Sequence, residues 1–102
     1  MSASHNITVP QSAIRAFCQT WHIREFAFFG SVLRADFRPE SDIDVLVSFE
    51  PDSPWSLWDL IAMQDELAAI FGRPVDLVER EALRNPIRRQ RILSTREVVH
   101  AA

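Results

Sequence analysis

From Pro10 onward, apolar residues recur with a helical period. Ile14, Phe17, Cys18 and Trp21 stand at i, i+3, i+4 and i+7, one face of an amphipathic helix that Pro10 opens in its first turn and that ends near His22. Residues 25–29 (EFAFF) form a short unbroken apolar run, which suits a strand buried on both faces. Gly30-Ser31 breaks that run; 31–35 is predicted to form a short helix with Ser31 near its cap, and 37–41, which contains a proline, is read as loop. From 42 to 49 the pattern alternates, with Ile43, Val45 and Val47 directed to the core and Asp42, Asp44 and Leu46 to the other face. A turn over 51–54 leads into a second long helix opened by Ser53-Pro54, with Leu57, Leu60, Ile61, Leu67, Ile70 and Phe71 as its buried stripe. Gly72 closes that helix and Pro74 prevents its continuation. Residues 74–78 read as a third strand, with Val75 and Leu77 on one face and Asp76 and Val78 on the other. Asn85-Pro86 is predicted to cap a last helix running to about Leu93, and 96–100 a final strand. Strands separated by helices in this order predict an α/β (α+β) domain, a small mixed sheet with its helices mainly on one face.

The bulk numbers bound the class of protein. At 102 residues, 47% apolar and 25% charged, the chain has the composition and size of one globular domain over 1–102, with residues 1 to about 9 expected to be disordered. The net charge of −3 leaves no overall nucleic-acid footprint, so direct nucleic-acid binding is not expected. All eleven basic residues are arginine, which excludes a lysine-dependent phosphate loop and Schiff-base chemistry. A single cysteine, Cys18, excludes an internal disulfide and suits a reducing compartment. No run approaches a membrane span, and the start MSASHNITV lacks the basic and apolar regions of a signal peptide. The expected location is cytoplasmic, with no membrane partner.

The chemistry is concentrated between Gly30 and Asp76. Asp42 and Asp44, one residue apart at the head of a strand, point to the same side with Cα atoms roughly 6.5–7 Å apart. As two carboxylates they repel by about 2–3 kcal/mol at an effective dielectric near 20, an arrangement that folding alone does not require and that a divalent cation would turn to advantage. Asp76 is a third carboxylate, in the middle of an otherwise apolar strand; if that strand pairs beside the Asp42 strand, all three share one face. Taken singly, Asp42 as a turn residue, Asp44 as the partner of an arginine and Asp76 as a solvated edge residue are ordinary readings. Their joint occurrence, behind a glycine-serine pair whose backbone amides suit phosphate oxygens, describes a metal-nucleotide site.

The segment GSVLRADFRPESDIDVLV, residues 30–47, resembles the nucleotidyltransferase domain of the DNA polymerase beta superfamily, and most of all its minimal nucleotidyltransferase (MNT) group. The resemblance extends from about Pro10 to His100. It implies that Gly30 and Ser31 hold a nucleoside triphosphate, that Asp42 and Asp44 hold two Mg²⁺ ions, and that Asp76 completes the site; Arg34 matches a basic position common in the group. Ala35 departs from the glycine usual at the next position. The implied reaction passes a nucleoside monophosphate, AMP from ATP, to an acceptor hydroxyl. A chain this short has no room for the acceptor-binding domain of larger members, so the acceptor is expected on another protein. MNT proteins resemble the antitoxin of a toxin-antitoxin pair whose toxin is a helical HEPN-type ribonuclease, which implies AMP transfer to a tyrosine of that partner. This chain has no tyrosine, so it cannot modify itself by that route. The alternatives are the catalytic subunit of a two-component small-molecule nucleotidyltransferase and a non-catalytic inhibitor that binds its partner.

Other residues carry weaker signals. His5, His22 and His100 are too scattered for a metal cluster. Cys18 lies on the core stripe of the first helix and reads as a structural thiol. Trp55 and Trp58 suit packing more than stacking on a base. Arg84, Arg88 and Arg91 fall at i, i+4 and i+7 with Arg89 and Arg96 nearby, a pattern that fits a solvated face or a surface for an acidic partner or phosphates.

Overall fold

The computed structural model describes residues 9–33 and 42–101. In chain order these form α1 (Gln11–Thr20), β1 (Ile23–Phe29), a 3-10 turn (Gly30–Leu33), β2 (Ile43–Phe49), α2 (Leu57–Phe71), β3 (Val75–Glu79), a second 3-10 turn (Arg80–Ala82), α3 (Pro86–Thr95) and β4 (Glu97–Ala101). The four strands make one sheet in the order β3-β2-β1-β4. β2 and β3 run parallel, with α2 as the crossover that a parallel pair requires. β1 is antiparallel to both β2 and β4. The sheet is mixed, as the alternation of strands and helices predicts.

Two helices cover one face and one covers the other. Ile14, Phe17 and Cys18 of α1 and Met63 and Leu67 of α2 pack on Phe26, Phe28, Ile43, Val45 and Val47. On the opposite face a smaller cluster joins Ala27, Phe29 and Leu46 to Leu83 and to Ile92 of α3. The predicted alternation along β2 holds, with Leu46 on the α3 side. β1 is buried on both faces over Phe26–Phe29 and starts at Ile23, earlier than residue 25, because Ile23 is itself a core residue that pairs with Phe49.

Several boundaries differ from the expected ones for local reasons. Pro10 stands one position before the first turn of α1, as its N-cap, and its carbonyl accepts the Ile14 N–H at 3.0 Å. α2 starts at Leu57 instead of Ser53-Pro54. The Trp55 indole N–H donates to the Trp21 carbonyl at 2.8 Å and anchors the segment before the helix, while the Ser56 N–H donates to the Asp59 carboxylate at 2.8 Å and caps it. Gly72, in the left-handed region at φ 72°, closes α2 as expected, its N–H donating to the Ala68 carbonyl.

The buried stripe of α2 needs a larger correction. Met63 and Leu67 are fully buried, with Leu60, Ala68, Ile70 and Phe71 against the same cluster. Leu57 and Ile61 instead lie on the surface at 68% and 42% exposure, beside Trp58 at 77%. At 3.6 residues per turn, a face centred on Met63 and Leu67 leaves Leu57 and Ile61 roughly 100° and 140° to the side. The helix is apolar over so much of its circumference that periodicity admits more than one buried face.

α3 begins at Pro86, where the Asn85 side chain accepts the N–H groups of Ile87 and Arg88, and it continues two residues past the expected Leu93. Arg84 therefore lies outside the helix, and the expected arginine stripe reduces to Arg88 and Arg91. β4 is tied to β1 by the ion pair of Arg96 with Glu25 at 2.5 Å. Among the described residues no helix is long and apolar enough to cross a membrane.

Candidate active site

β1 ends at Phe29, and the chain turns at Gly30 with φ +73°. A side chain there would face two obstacles. The left-handed backbone disfavours a Cβ, and a Cβ would lie 2.4 Å from Asp44 Oδ2 and 3.2 Å from its Cγ. The Asp44 carboxylate thus rests against the bare Cα of Gly30. The antiparallel register explains the contact, since Phe29 is the partner of Asp44 across β1 and β2.

The second carboxylate pairing comes from the parallel side. Asp44 and Asp76 are register partners on β2 and β3, and the Ile43 N–H donates to the Pro74 carbonyl at 3.0 Å to align the heads of the two strands. Asp42 immediately precedes β2 and is exposed; Asp44 is half-buried and Asp76 exposed. The heads of β2 and β3 and the tail of β1 therefore meet at one end of the sheet. Asp44 and Asp76 share the face that carries Leu46 and Val78, the α3 side. Like charges directly opposite one another in a sheet are destabilising, and all three donors are hard carboxylate oxygens suited to a divalent cation. Among the described residues no three His, Cys, Asp or Glu side chains gather closely enough to enclose a metal ion by themselves. The backbone of Ser31 follows Gly30 within the 3-10 turn, which starts at Gly30 itself rather than at Ser31. Arg34 and Ala35 lie outside the described residues.

A cavity of about 270 Å³ opens beside Gly30, walled by Phe29, Leu33, Ile92, Thr95 and Arg91. Spacing along the chain relates Arg91 only to its neighbouring arginines; its nearness to Gly30 follows from the sheet order, which places α3 on the aspartate face. Two other arginines of that group have structural partners. Arg89 donates to the Arg80 carbonyl at 3.2 Å, and Arg96 pairs with Glu25.

The remaining candidates lie elsewhere. Cys18 is buried, and desolvation pushes its thiol up to about 12, as expected of a structural cysteine. Trp55 packs edge-on against Trp21 and tilted against His22. It lines a second cavity, of about 340 Å³, with Arg24, Phe49, Glu50, Glu79 and Glu81, at the opposite end of β2 from Asp44. Burial, and next the charge of Glu81, raise Glu79 above the usual carboxylate range. His100 lies on β4, and His5 lies outside the described residues.

The chain belongs to the nucleotidyltransferase domain family, whose family model matches residues 11–99; it is a nucleotidyltransferase. It is 38% identical over 78 residues to the protein adenylyltransferase MntA of Thermococcus cleftensis, an alignment covering 76% of this chain and 74% of that protein. A solved structure provisionally assigned as a minimal nucleotidyltransferase matches with a TM-score of 0.68 and 31% identity, covering 85% of this chain and 86% of the other. Two toxin-antitoxin complexes share the fold at lower identity. One, holding AMP-PNP, matches with a TM-score of 0.75 and 17% identity over 92% of this chain and 75% of the other. The second pairs a tri-AMPylated HEPN toxin of Shewanella oneidensis with an MNT antitoxin and matches with a TM-score of 0.65 and 16% identity over 90% and 70%.

Proposed function

We propose that this chain transfers AMP from ATP to a hydroxyl group of a partner protein, a helical HEPN-type toxin, with Mg²⁺ bound by Asp42, Asp44 and Asp76. The observation that carries the reading is the convergence of Gly30, Asp44 and Asp76 at one end of the sheet, with Asp44 against the Cα of Gly30 and in register with Asp76. The adenylyltransferase relative and the AMPylated-toxin complex support the choice of AMP and of partner, and the AMP-PNP complex supports ATP.

The roles divide by position in the sheet. Asp44, on an inner strand against Gly30, lies on the triphosphate side, where Gly30 and Ser31 receive the phosphates, Arg34 adds a positive charge and Asp42 adds a second carboxylate. Asp76 is on β3, the edge strand, and is exposed to an acceptor arriving from outside. Its carboxylate accepts the proton of the incoming hydroxyl, whose oxygen bonds to the α-phosphorus as the α–β bridging bond breaks and pyrophosphate leaves. Bound Mg²⁺ supplies charge neutralisation of the triphosphate and of the leaving oxygen. Positioning and electrostatics provide the rate gain, without a covalent protein intermediate.

The test is to incubate the purified chain and its co-encoded partner with ATP labelled at the α-phosphate, with Mg²⁺ or with EDTA. Label should appear on the partner, only with the metal, and on a tyrosine by peptide mapping. Absence of label on the partner in the presence of Mg²⁺ would overturn the reading, and label on an added small alcohol instead would assign the chain to small-molecule transfer.

A further inference from the structure

The geometry points to Arg91 as a phosphate-binding residue of this site, reaching across the cavity beside Gly30 to the triphosphate; the inference rests on the ATP-dependent reading above. α3 is held in place by Ile92, which is buried in the cluster with Phe29 and Leu46, the residue before Gly30 and a β2 neighbour of Asp44. The last turn is tightened by Thr95, whose hydroxyl donates to the Arg91 carbonyl at 2.7 Å. The helix therefore carries Arg91 at a fixed place on the wall facing Gly30.

Among the described residues the guanidinium has no ionic partner. Its side chain makes no hydrogen bond or ion pair with another described residue, whereas those of Arg89 and Arg96 do. Arg88 stands at i−3 and adds a like charge, which an approaching anion would relieve. An arginine fork matches phosphate oxygens geometrically and stays charged at any working pH. Beside Thr95 the other side chains of the cavity wall, Phe29, Leu33 and Ile92, are apolar, and a lower local dielectric on that side strengthens a charged contact. An acidic partner surface would satisfy the same charge, but the cavity borders the glycine that touches Asp44, so the nucleotide phosphates are the nearer anion.

Titration of Arg91→Gln and wild type with ATP, inorganic triphosphate and adenosine, in Mg²⁺ buffer, tests this. Loss of a charge-assisted contact of this kind should weaken ATP and triphosphate on the order of tenfold, with adenosine unchanged. Arg91→Lys should recover part of the loss through its charge, and Arg88→Gln should bind all three ligands as wild type does. Melting temperature should be unaltered in each variant, because both side chains are exposed. Wild-type affinity for ATP in Arg91→Gln would overturn the inference and leave the AMP-transfer reading intact, as would slower partner association with unchanged ATP binding. A fall for adenosine with triphosphate unaffected would also overturn it, by assigning the cavity to the base. A wild-type chain that binds no ATP would instead overturn the underlying reading.

Discussion

Gly30 and Asp44 touch across the boundary of β1 and β2, so closely that a methyl group on Gly30 would sit 2.4 Å from Asp44 Oδ2. One glycine thereby does two things. It permits the left-handed turn that ends β1, and it leaves room for a carboxylate at the head of β2.

Gly30→Ala should consequently lose both. The positive φ costs about 1–3 kcal/mol for a residue with a Cβ, and the Asp44 carboxylate must move. Urea unfolding should show the stability loss, and AMP transfer should fall to background even where the variant is fully folded. Full activity in a folded Gly30→Ala protein would mean that the position of Asp44 against the turn is irrelevant to the chemistry.

The aspartates should separate by function. Asp42→Asn together with Asp44→Asn is expected to abolish both Mg²⁺-dependent ATP binding and transfer without unfolding the domain. Asp76→Asn, on the edge strand, should retain much of the ATP affinity and lose transfer. Calorimetric titration beside a transfer assay reads the difference; parallel loss of binding and transfer in Asp76→Asn would put Asp76 with the nucleotide-holding pair.

Glu79 provides a pH-dependent check on the far end of the sheet. Its pKa is raised in the folded state, chiefly by burial and then by Glu81, so the folded protein binds this proton more tightly than the unfolded chain. The associated stability is present below the unfolded value of 4.5 and is lost as pH rises through the folded value. Glu79→Gln should therefore raise the melting temperature at pH 7 and have little effect at pH 4. An equal effect at both pH values would show that charge is not the cause.

The two sides of α2 should respond differently to truncation. Met63→Ala removes a fully buried side chain and should cost about 2–5 kcal/mol. Trp58→Ala, at 77% exposure, should stay within about 0.5 kcal/mol. Chemical denaturation of both variants distinguishes this packing from the one in which Leu57 and Ile61 are buried.

Much of the fold was readable from local pattern, because the period of apolar positions and the punctuation by glycine and proline act within a few residues. The alternation from Ile43 to Val47 specified which face of β2 is buried, Gly72 marked the end of α2, and Asn85-Pro86 marked the start of α3. Pattern also singled out Gly30, Ser31, Asp42, Asp44 and Asp76 as a chemical set, since two carboxylates one residue apart on a strand carry their relative orientation with them.

Relations between distant segments were not readable in that way. The opposition of Asp44 and Asp76 requires β3 to lie parallel beside β2 in one register, and a single-residue slip would turn Asp76 to the other face. The burial of Met63 in place of Leu57 and Ile61 was decided by the shape of the sheet beneath α2, because a helix apolar on several sides has no preferred face until it meets a surface. Arg91 came to Gly30 through strand order and the burial of Ile92. Periodicity describes what each segment can bury; the sheet determines which segments meet, since burial against a shared surface is a property of the whole chain.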